Sequence, residues 1–274
     1  MKKATSAAEA AGFIAEAKRK GLSIGLVPTM GALHEGHLSL VRMSRENSDF
    51  TAVSLFVNPK QFGPSEDLEK YPRTEEQDAK LLEELGVDLL FMPEKDSLYS
   101  DSDSTRISMN NLGDHLCGAS RPGHFDGVLL IVAKLCNIIS PDCAWFGQKD
   151  AQQAVIIQRM AADLDFKVRI YLGPTIREPD GLAMSSRNSY LSEEERKKAP
   201  SIRKGLLRAA EMLEKGERAS KTLTDTVKKE MTGSGFEIDY AELVDGATLQ
   251  PVEKAEGVIL LAAAGRLGKT RLRQ

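Results

Sequence analysis

The sequence predicts an α/β fold, a parallel sheet with helices on both faces, joined to a smaller C-terminal α+β domain. Three observations lead there. Between residues 23 and 173, short apolar runs rich in β-branched residues alternate with segments of helical periodicity, which is the pattern of strands joined by crossover helices. Beyond about residue 176 the alternation stops, and charged helical stretches precede two apolar runs with no helix-length crossover between them. Such runs pair antiparallel. Finally, 274 residues suffice for two domains at roughly 150 residues each. The change of pattern divides them into 1–175 and 176–274.

From residue 5 to about Gly21 apolar positions recur at helical spacing. SIGLVPT (23–29) reads as a buried strand closed by a glycine-containing turn, HEGHLSLVRMSREN as a helix, and FTAVSLFV (50–57) as a second strand. A polar loop, NPKQFGPSEDLEKYPR, leads to Thr74 and Gln77, which stand at capping-box spacing and open a helix. Gly86 ends it, and VDLLFMP (87–93) is a third strand. After an irregular stretch, FDGVLLIVAKLCNII is a strongly apolar helix, DCAWFG a strand, KDAQQAVIIQRMAADL a helix and KVRIYLG a strand. In the second domain Ser192 and Glu195 cap a charged helix that runs to about residue 215. A further helix covers about 220–231, and FEIDYAELVD and GVILLAAA are strands.

Composition narrows the function. The formal charge is −3, from 37 cationic and 40 anionic side chains, whereas a nucleic-acid binder shows a basic excess or stripe. Arg266, Lys269, Arg271 and Arg273 near the C-terminus stand without an acid and read as a solvated tail. Cys117, Cys136 and Cys143 fit no zinc spacing and read as reduced thiols. The N-terminal stretch lacks the compact apolar core of a signal peptide, and no apolar run reaches the ~18 residues of a membrane-spanning helix. The expectation is a cytoplasmic protein with neither nucleic acid nor membrane as partner.

Four loops carry chemistry. In PTMGALHEGH (28–37), His34 and His37 lie three apart at the start of a helix. There Gly31 admits close backbone approach, and free N–H groups favour an anion. Two imidazoles at that point can donate to phosphate oxygens. The zinc signature H-E-x-x-H needs one residue more than His34-Glu35-Gly36-His37 offers. The next strand ends in Asn58-Pro59-Lys60-Gln61, whose neutral amides suit a hydroxy acid. Gly147-Gln148-Lys149-Asp150 closes another strand; Lys149 can reach a phosphate and Asp150 a ribose hydroxyl. Met184-Ser185-Ser186-Arg187-Asn188 adds hydroxyls and a guanidinium fork matched to phosphate. No P-loop and no G-x-G-x-x-G dinucleotide fingerprint is present.

PTMGALHEGH, VNPKQF, YPRT, RPGHFDGV, GQKDAQQ and MSSRN, in that order and spacing, resemble the pantothenate synthetase (pantoate–β-alanine ligase) family over about residues 23–271. H-x-G-H alone would indicate only the wider nucleotidyltransferase superfamily shared with class I aminoacyl-tRNA synthetases. The resemblance implies a Rossmann-like catalytic domain, a small C-terminal lid and a homodimer. It also implies ATP- and Mg²⁺-dependent condensation of pantoate with β-alanine, giving pantothenate, AMP and pyrophosphate through an enzyme-bound pantoyl adenylate.

By the same resemblance Met30, Gly31, Ala32, Leu33, His34, Glu35, Gly36 and His37 line the ATP site, with His34, His37 and Lys149 as the catalytic set and His37 as proton donor. Gly147, Gln148, Lys149 and Asp150 contact nucleotide, Ile176 touches adenine through its backbone, and Met184, Ser185, Ser186 and Arg187 close over the triphosphate. Gln61 and Gln153 hold pantoate, Gln61 also serves β-alanine, and Asn58 lies near substrate. The resemblance leaves metal ligands unassigned and gives no role to His115, Arg121, His124 or Asp126. Two departures stand out: Gln148 replaces the family's usual Glu, and the ending GKTRLRQ differs after Thr-Arg-Leu. A relative that releases a stable adenylylated product is disfavoured by the pantoate glutamines. A silent nucleotide-binding module is disfavoured by the intact His34, His37, Lys149 and MSSR loop.

Overall fold

The computed structural model describes residues 1–64 and 66–274. In chain order its elements are β1 (Lys2–Ala4), α1 (Ala7–Arg19), β2 (Ile24–Thr29), α2 (Glu35–Asn47), β3 (Phe50–Leu55), α3 (Glu75–Glu84), β4 (Leu89–Phe91) and α4 (Lys95–Leu98). There follow α5 (Leu116–Ser120), α6 (His124–Ile139), β5 (Cys143–Gly147), α7 (Ala151–Asp163) and β6 (Arg169–Gly173). The remainder is α8 (Glu193–Lys198), α9 (Ser201–Glu214), α10 (Ser220–Gly233), β7 (Glu237–Asp245), β8 (Ile259–Leu267) and β9 (Thr270–Arg273). Two compact units result: Met1–Ser108 with Gly123–Pro174, and Met109–Pro122 with Thr175–Gln274. Segment 109–122 therefore belongs with the second unit, although it precedes the sequence boundary near 175 by many residues.

The first unit holds a parallel sheet of order β1-β4-β3-β2-β5-β6. Its inner strands are apolar on both faces: Ile24, Leu26, Val27, Ala52, Val53, Leu89, Leu90 and Phe91 are all buried. Continuous apolar runs are what helices on both sides demand. Val27, Val53, Leu90 and Trp145 pack with Leu40 and Val41 of α2 and Ala79 and Leu82 of α3. Gly25 lets α2 lie directly on β2, because a Cβ there would collide with the Ser44 and Ser48 hydroxyls. From β2 the chain builds outward to β3 and β4, then resumes on the other side with β5 and β6. The carboxyl ends of β2 and β5 thus flank a topological switch point, where open α/β sheets bind ligands.

The second unit is an antiparallel sheet, β7-β8-β9, with α9 and α10. Ile202, Leu206, Leu223, Val227, Met231, Leu243, Ala263, Leu267 and Leu272 form its core. Among the described residues no helix is long and apolar enough to cross a membrane.

One strand was not read from the sequence, and three local expectations need correction. Lys2–Ala4 is an edge strand pairing with β4, too short and polar to show a period. Thr74 begins α3 without capping it, and its hydroxyl donates instead to Asp78 Oδ2 at 3.1 Å. The charged helix after Ser192 keeps its predicted capping box but stops at Lys198, and Pro200 precedes a separate helix; proline lacks the N–H needed to continue. The basic C-terminal stretch is not a free tail. It forms β9, with Thr270 and Leu272 buried and Arg271 Nε bonded to Asp239 Oδ2 at 2.5 Å. Arg271 also donates to Ser120 Oγ at 3.0 Å, and Gln250 Nε2 to Asn111 O at 3.3 Å, which ties segment 109–122 to this sheet.

Candidate functional site

The loop from β2 to α2 turns through two left-handed residues, Gly31 (φ +82°) and Ala32 (φ +50°). Glycine meets that conformation freely, whereas alanine needs support. Asp78 supplies it: its Oδ2 and Oδ1 accept from the Ala32 and Leu33 N–H groups, each at 2.9 Å, and only 1% of the residue is exposed. These two amides serve the loop's own shape.

His34 is the extended N-cap of α2, and its Nδ1 accepts from the Gly36 N–H at 3.1 Å. His37, at the third helical position, accepts with Nδ1 from the His34 N–H at 3.4 Å. The two histidines form a reciprocal capping box, with ring centroids 4.1 Å apart. Gly36 is required between them: a Cβ there would sit 2.9 Å from His34 Cε1. Because each Nδ1 accepts, each neutral ring carries its proton on Nε2. Burial lowers the His34 pKa to about 4, with Lys149 reinforcing and Asp150 opposing. Burial, then His34 and Lys149, lower that of His37 to about 3, against the pull of Asp150. Two neutral N–H donors therefore stand within the field of one lysine.

Lys149 and Asp150 lie in the 3-10 turn Gln148–Asp150 that follows β5, the strand next to β2. Because β5 pairs in parallel with β2, the first and third loops leave the same end of adjacent strands, and the Lys149 and Asp150 charges act on both rings. Gln148 is exposed there. The Glu35 carboxylate pairs with Arg42, so of Glu35 only the backbone is left to the loop. Gln153, in the first turn of α7, is half-buried.

The loop after β3 is built around Asn58. Asn58 is 1% exposed, with every hydrogen-bonding position spent on the protein. Its Oδ1 accepts from the Lys60 N–H and the Tyr99 hydroxyl, and its Nδ2 donates to Gly127 O and Gln61 Oε1. Asn58 thus stands directly against Gln61, 3.1 Å from its Oε1. Gln61 Nε2 reaches Met30 Sδ at 3.0 Å, joining this loop to the first. Buried His124 pairs through Nδ1 with Gln61 O at 2.8 Å. Gly127 lets α6 touch the loop, since a Cβ would collide with the Lys60 carbonyl. The RPGHFDGV motif accordingly fixes Gln61 through His124 and Gly127. Asp126 lies in the first turn of α6.

In the second unit Ile176 O accepts from the Met184 N–H at 3.0 Å. Ser185 caps a 3-10 turn, Ser186–Tyr190, accepting from the Arg187 N–H. Arg121 ends α5 and His115 begins it. Sequence reasoning missed Asp78 and Tyr99 and left His124 without a role; the four-residue spacing of Thr74 and Asp78 was the only local signal.

Among the described residues no group of three His, Cys, Asp or Glu side chains is placed to hold a metal ion. The Asp78 carboxylate is already committed to Ala32, Leu33 and Thr74.

A family model described as pantoate-beta-alanine ligase matches residues 2–273. A pantothenate synthetase from Fervidobacterium nodosum is 51% identical over 257 residues, 94% of this chain and 92% of that protein. The structure of pantothenate synthetase from Thermus thermophilus matches with a TM-score of 0.93 at 40% identity, covering 100% of this chain and 98% of that one. A pantoate-beta-alanine ligase from Francisella tularensis, complexed with beta-gamma ATP and beta-alanine, matches with a TM-score of 0.83 at 33% identity, covering 100% and 96%.

Proposed function

Because this chain belongs to the pantoate–β-alanine ligase family, we propose that it joins pantoate to β-alanine in two steps driven by ATP. The pantoate carboxylate attacks the α-phosphate, releasing pyrophosphate and forming a pantoyl adenylate. The β-alanine amine then attacks the activated carbonyl, and AMP leaves with the carboxylate oxygen. The relative from Francisella tularensis, solved with an ATP compound and β-alanine, supports both substrates.

The observation that carries this reading is the reciprocal histidine cap beside Lys149. Adenylation asks a protein mainly for alignment and for donors aimed at growing phosphate charge. In this reading the Nε2–H groups of His34 and His37 and the Lys149 ammonium are those donors. A ring whose pKa is about 3 acts as a hydrogen-bond donor more than as an acid that surrenders its proton. Met30 to His37 and Gly147 to Asp150 line the nucleotide, Asp150 taking the ribose. Gln61 and Gln153 hold pantoate, and Gln61 also meets β-alanine. Ile176 and Met184 to Arg187 complete the nucleotide contacts.

Mg²⁺ belongs to the reading as the counter-ion that ATP carries in. A cytoplasmic homodimer completes the proposal. The test is pyrophosphate release from ATP and pantoate, with and without β-alanine. Turnover that needs both substrates and yields AMP and pantothenate supports the ligase. A folded, ATP-binding protein with no pantoate-dependent signal would overturn it.

A further inference from the structure

The hydrogen bonds behind Gln61 run in one direction only. Lys60 N–H can only donate and Gly127 C=O can only accept, so they fix the Asn58 amide with Oδ1 toward Lys60 at 3.3 Å and Nδ2 toward Gly127 at 3.0 Å. The Tyr99 hydroxyl, 2.9 Å from the same Oδ1, must then donate. The second Nδ2 proton goes to Gln61 Oε1 at 3.1 Å, leaving Gln61 Nε2 directed toward Met30 of the first loop. Burial, with Asp103 second, raises the Tyr99 pKa, so the phenol keeps its proton. Its ring is held independently by the Lys60 and Lys134 ammonium groups, 5.6 and 5.3 Å from the centroid, and by Phe56.

We propose that Tyr99 is a positioning residue that, acting through Asn58, holds the Gln61 amide with its NH₂ end toward the substrate. The site thereby selects a ligand presenting acceptor oxygens, as the carboxylate and hydroxyls of a hydroxy acid do. Tyr99 touches no reacting atom; its hydroxyl reinforces, through Asn58, the polarity that the Lys60 N–H and the Gly127 carbonyl impose on Gln61. The inference rests on the reading that Gln61 holds pantoate.

Three variants of the full chain separate the two ideas, with KM for pantoate, KM for ATP and kcat as readouts. Tyr99→Phe keeps the ring and its cation contacts but removes the donor. It should raise KM for pantoate roughly fivefold, the size of one net hydrogen bond, with KM for ATP unchanged. Asn58→Asp offers only acceptors toward Gln61, turns its NH₂ inward and should raise KM for pantoate more than Tyr99→Phe does. Gln61→Ala reports on the underlying reading. If Gln61→Ala leaves KM for pantoate unchanged, the pantoate assignment fails. If Gln61→Ala weakens pantoate but Tyr99→Phe does not, or if KM for ATP rises equally, the positioning role is overturned. Should Asn58→Asp not fold, the wild-type protein still decides: nuclear Overhauser contacts from the Gln61 side-chain NH₂ to the Met30 side chain are expected, and their absence refutes the orientation.

Discussion

His37 Nδ1 lies 3.4 Å from the backbone nitrogen of His34, whose own ring caps Gly36. Each histidine immobilises the other before any ligand arrives. The H-x-G-H spacing is therefore a capping box in which imidazoles replace the usual serine and glutamate. The cap uses neither Nε2–H, and both rings stay neutral.

The neutral state has a pH signature. The folded pKa values, about 4 for His34 and about 3 for His37, lie below the unfolded histidine value of about 6.5. Below pH ~6.5 the unfolded chain binds protons that the folded rings refuse, so stability is full above that pH and declines as pH falls toward 4 and then 3. Urea midpoints between pH 7 and 4 should fall less in a His34→Gln, His37→Gln double variant than in wild type. An NMR titration in which either ring protonates near pH 6.5 would contradict the depressed values.

Truncating a donor tests the phosphate role. His37→Ala should retain a cooperative thermal transition yet lower the rate of pyrophosphate release by ~10²-fold or more, as removal of a preorganised donor does elsewhere. Lys149→Ala should weaken the same step. A loss under tenfold for His37→Ala would remove that ring from the donor set.

The Asp78 clasp predicts a coupling between α3 and nucleotide. Asp78→Ala strands the Ala32 and Leu33 N–H groups, costing about 1–3 kcal/mol for each buried donor left unmet. It should also raise KM for ATP by releasing a left-handed alanine. Asp78→Asn keeps one acceptor oxygen and should fall between wild type and Asp78→Ala in both melting temperature and KM. Unchanged ATP kinetics in Asp78→Ala would show that the loop keeps its shape unaided.

Arg271 offers a test away from the site. Its guanidinium joins Asp239 and Ser120, and the side chains of Arg271 and Asp239 are each only 17% exposed. Arg271→Ala should cost roughly 1–3 kcal/mol, the value of a charge-assisted bond whose partner is left behind. It should also expose segment 109–122 to protease. Unaltered cleavage within that segment would mean that other contacts hold it.

The central fold could be read from the sequence because β2, β3 and β5 are apolar on both faces and each is followed by a helix with a clear period. β1 and β9 escaped because three or four residues at a sheet edge carry no period, and β9 hides among arginines. The motif loops were legible because their chemistry is local: His34 and His37 act across one turn. Asp78 and Tyr99 were not, because their partners Ala32 and Asn58 stand 46 and 41 positions away. The network around Asn58 was equally hidden, its Gly127 partner standing 69 positions away. An amide in a substrate loop looks the same on paper whether it faces a ligand or the protein.

Segment 109–122 has a consequence for how the chain is made. Synthesis on the ribosome delivers α5 between two parts of the first unit, long before the strands it docks against. Until β7 to β9 emerge, and Arg271 with them, that segment must wait as an unsatisfied loop on a nearly finished neighbour. The second unit consequently cannot be obtained by cutting the gene once: residues 175–274 alone would lack one piece of their own structure.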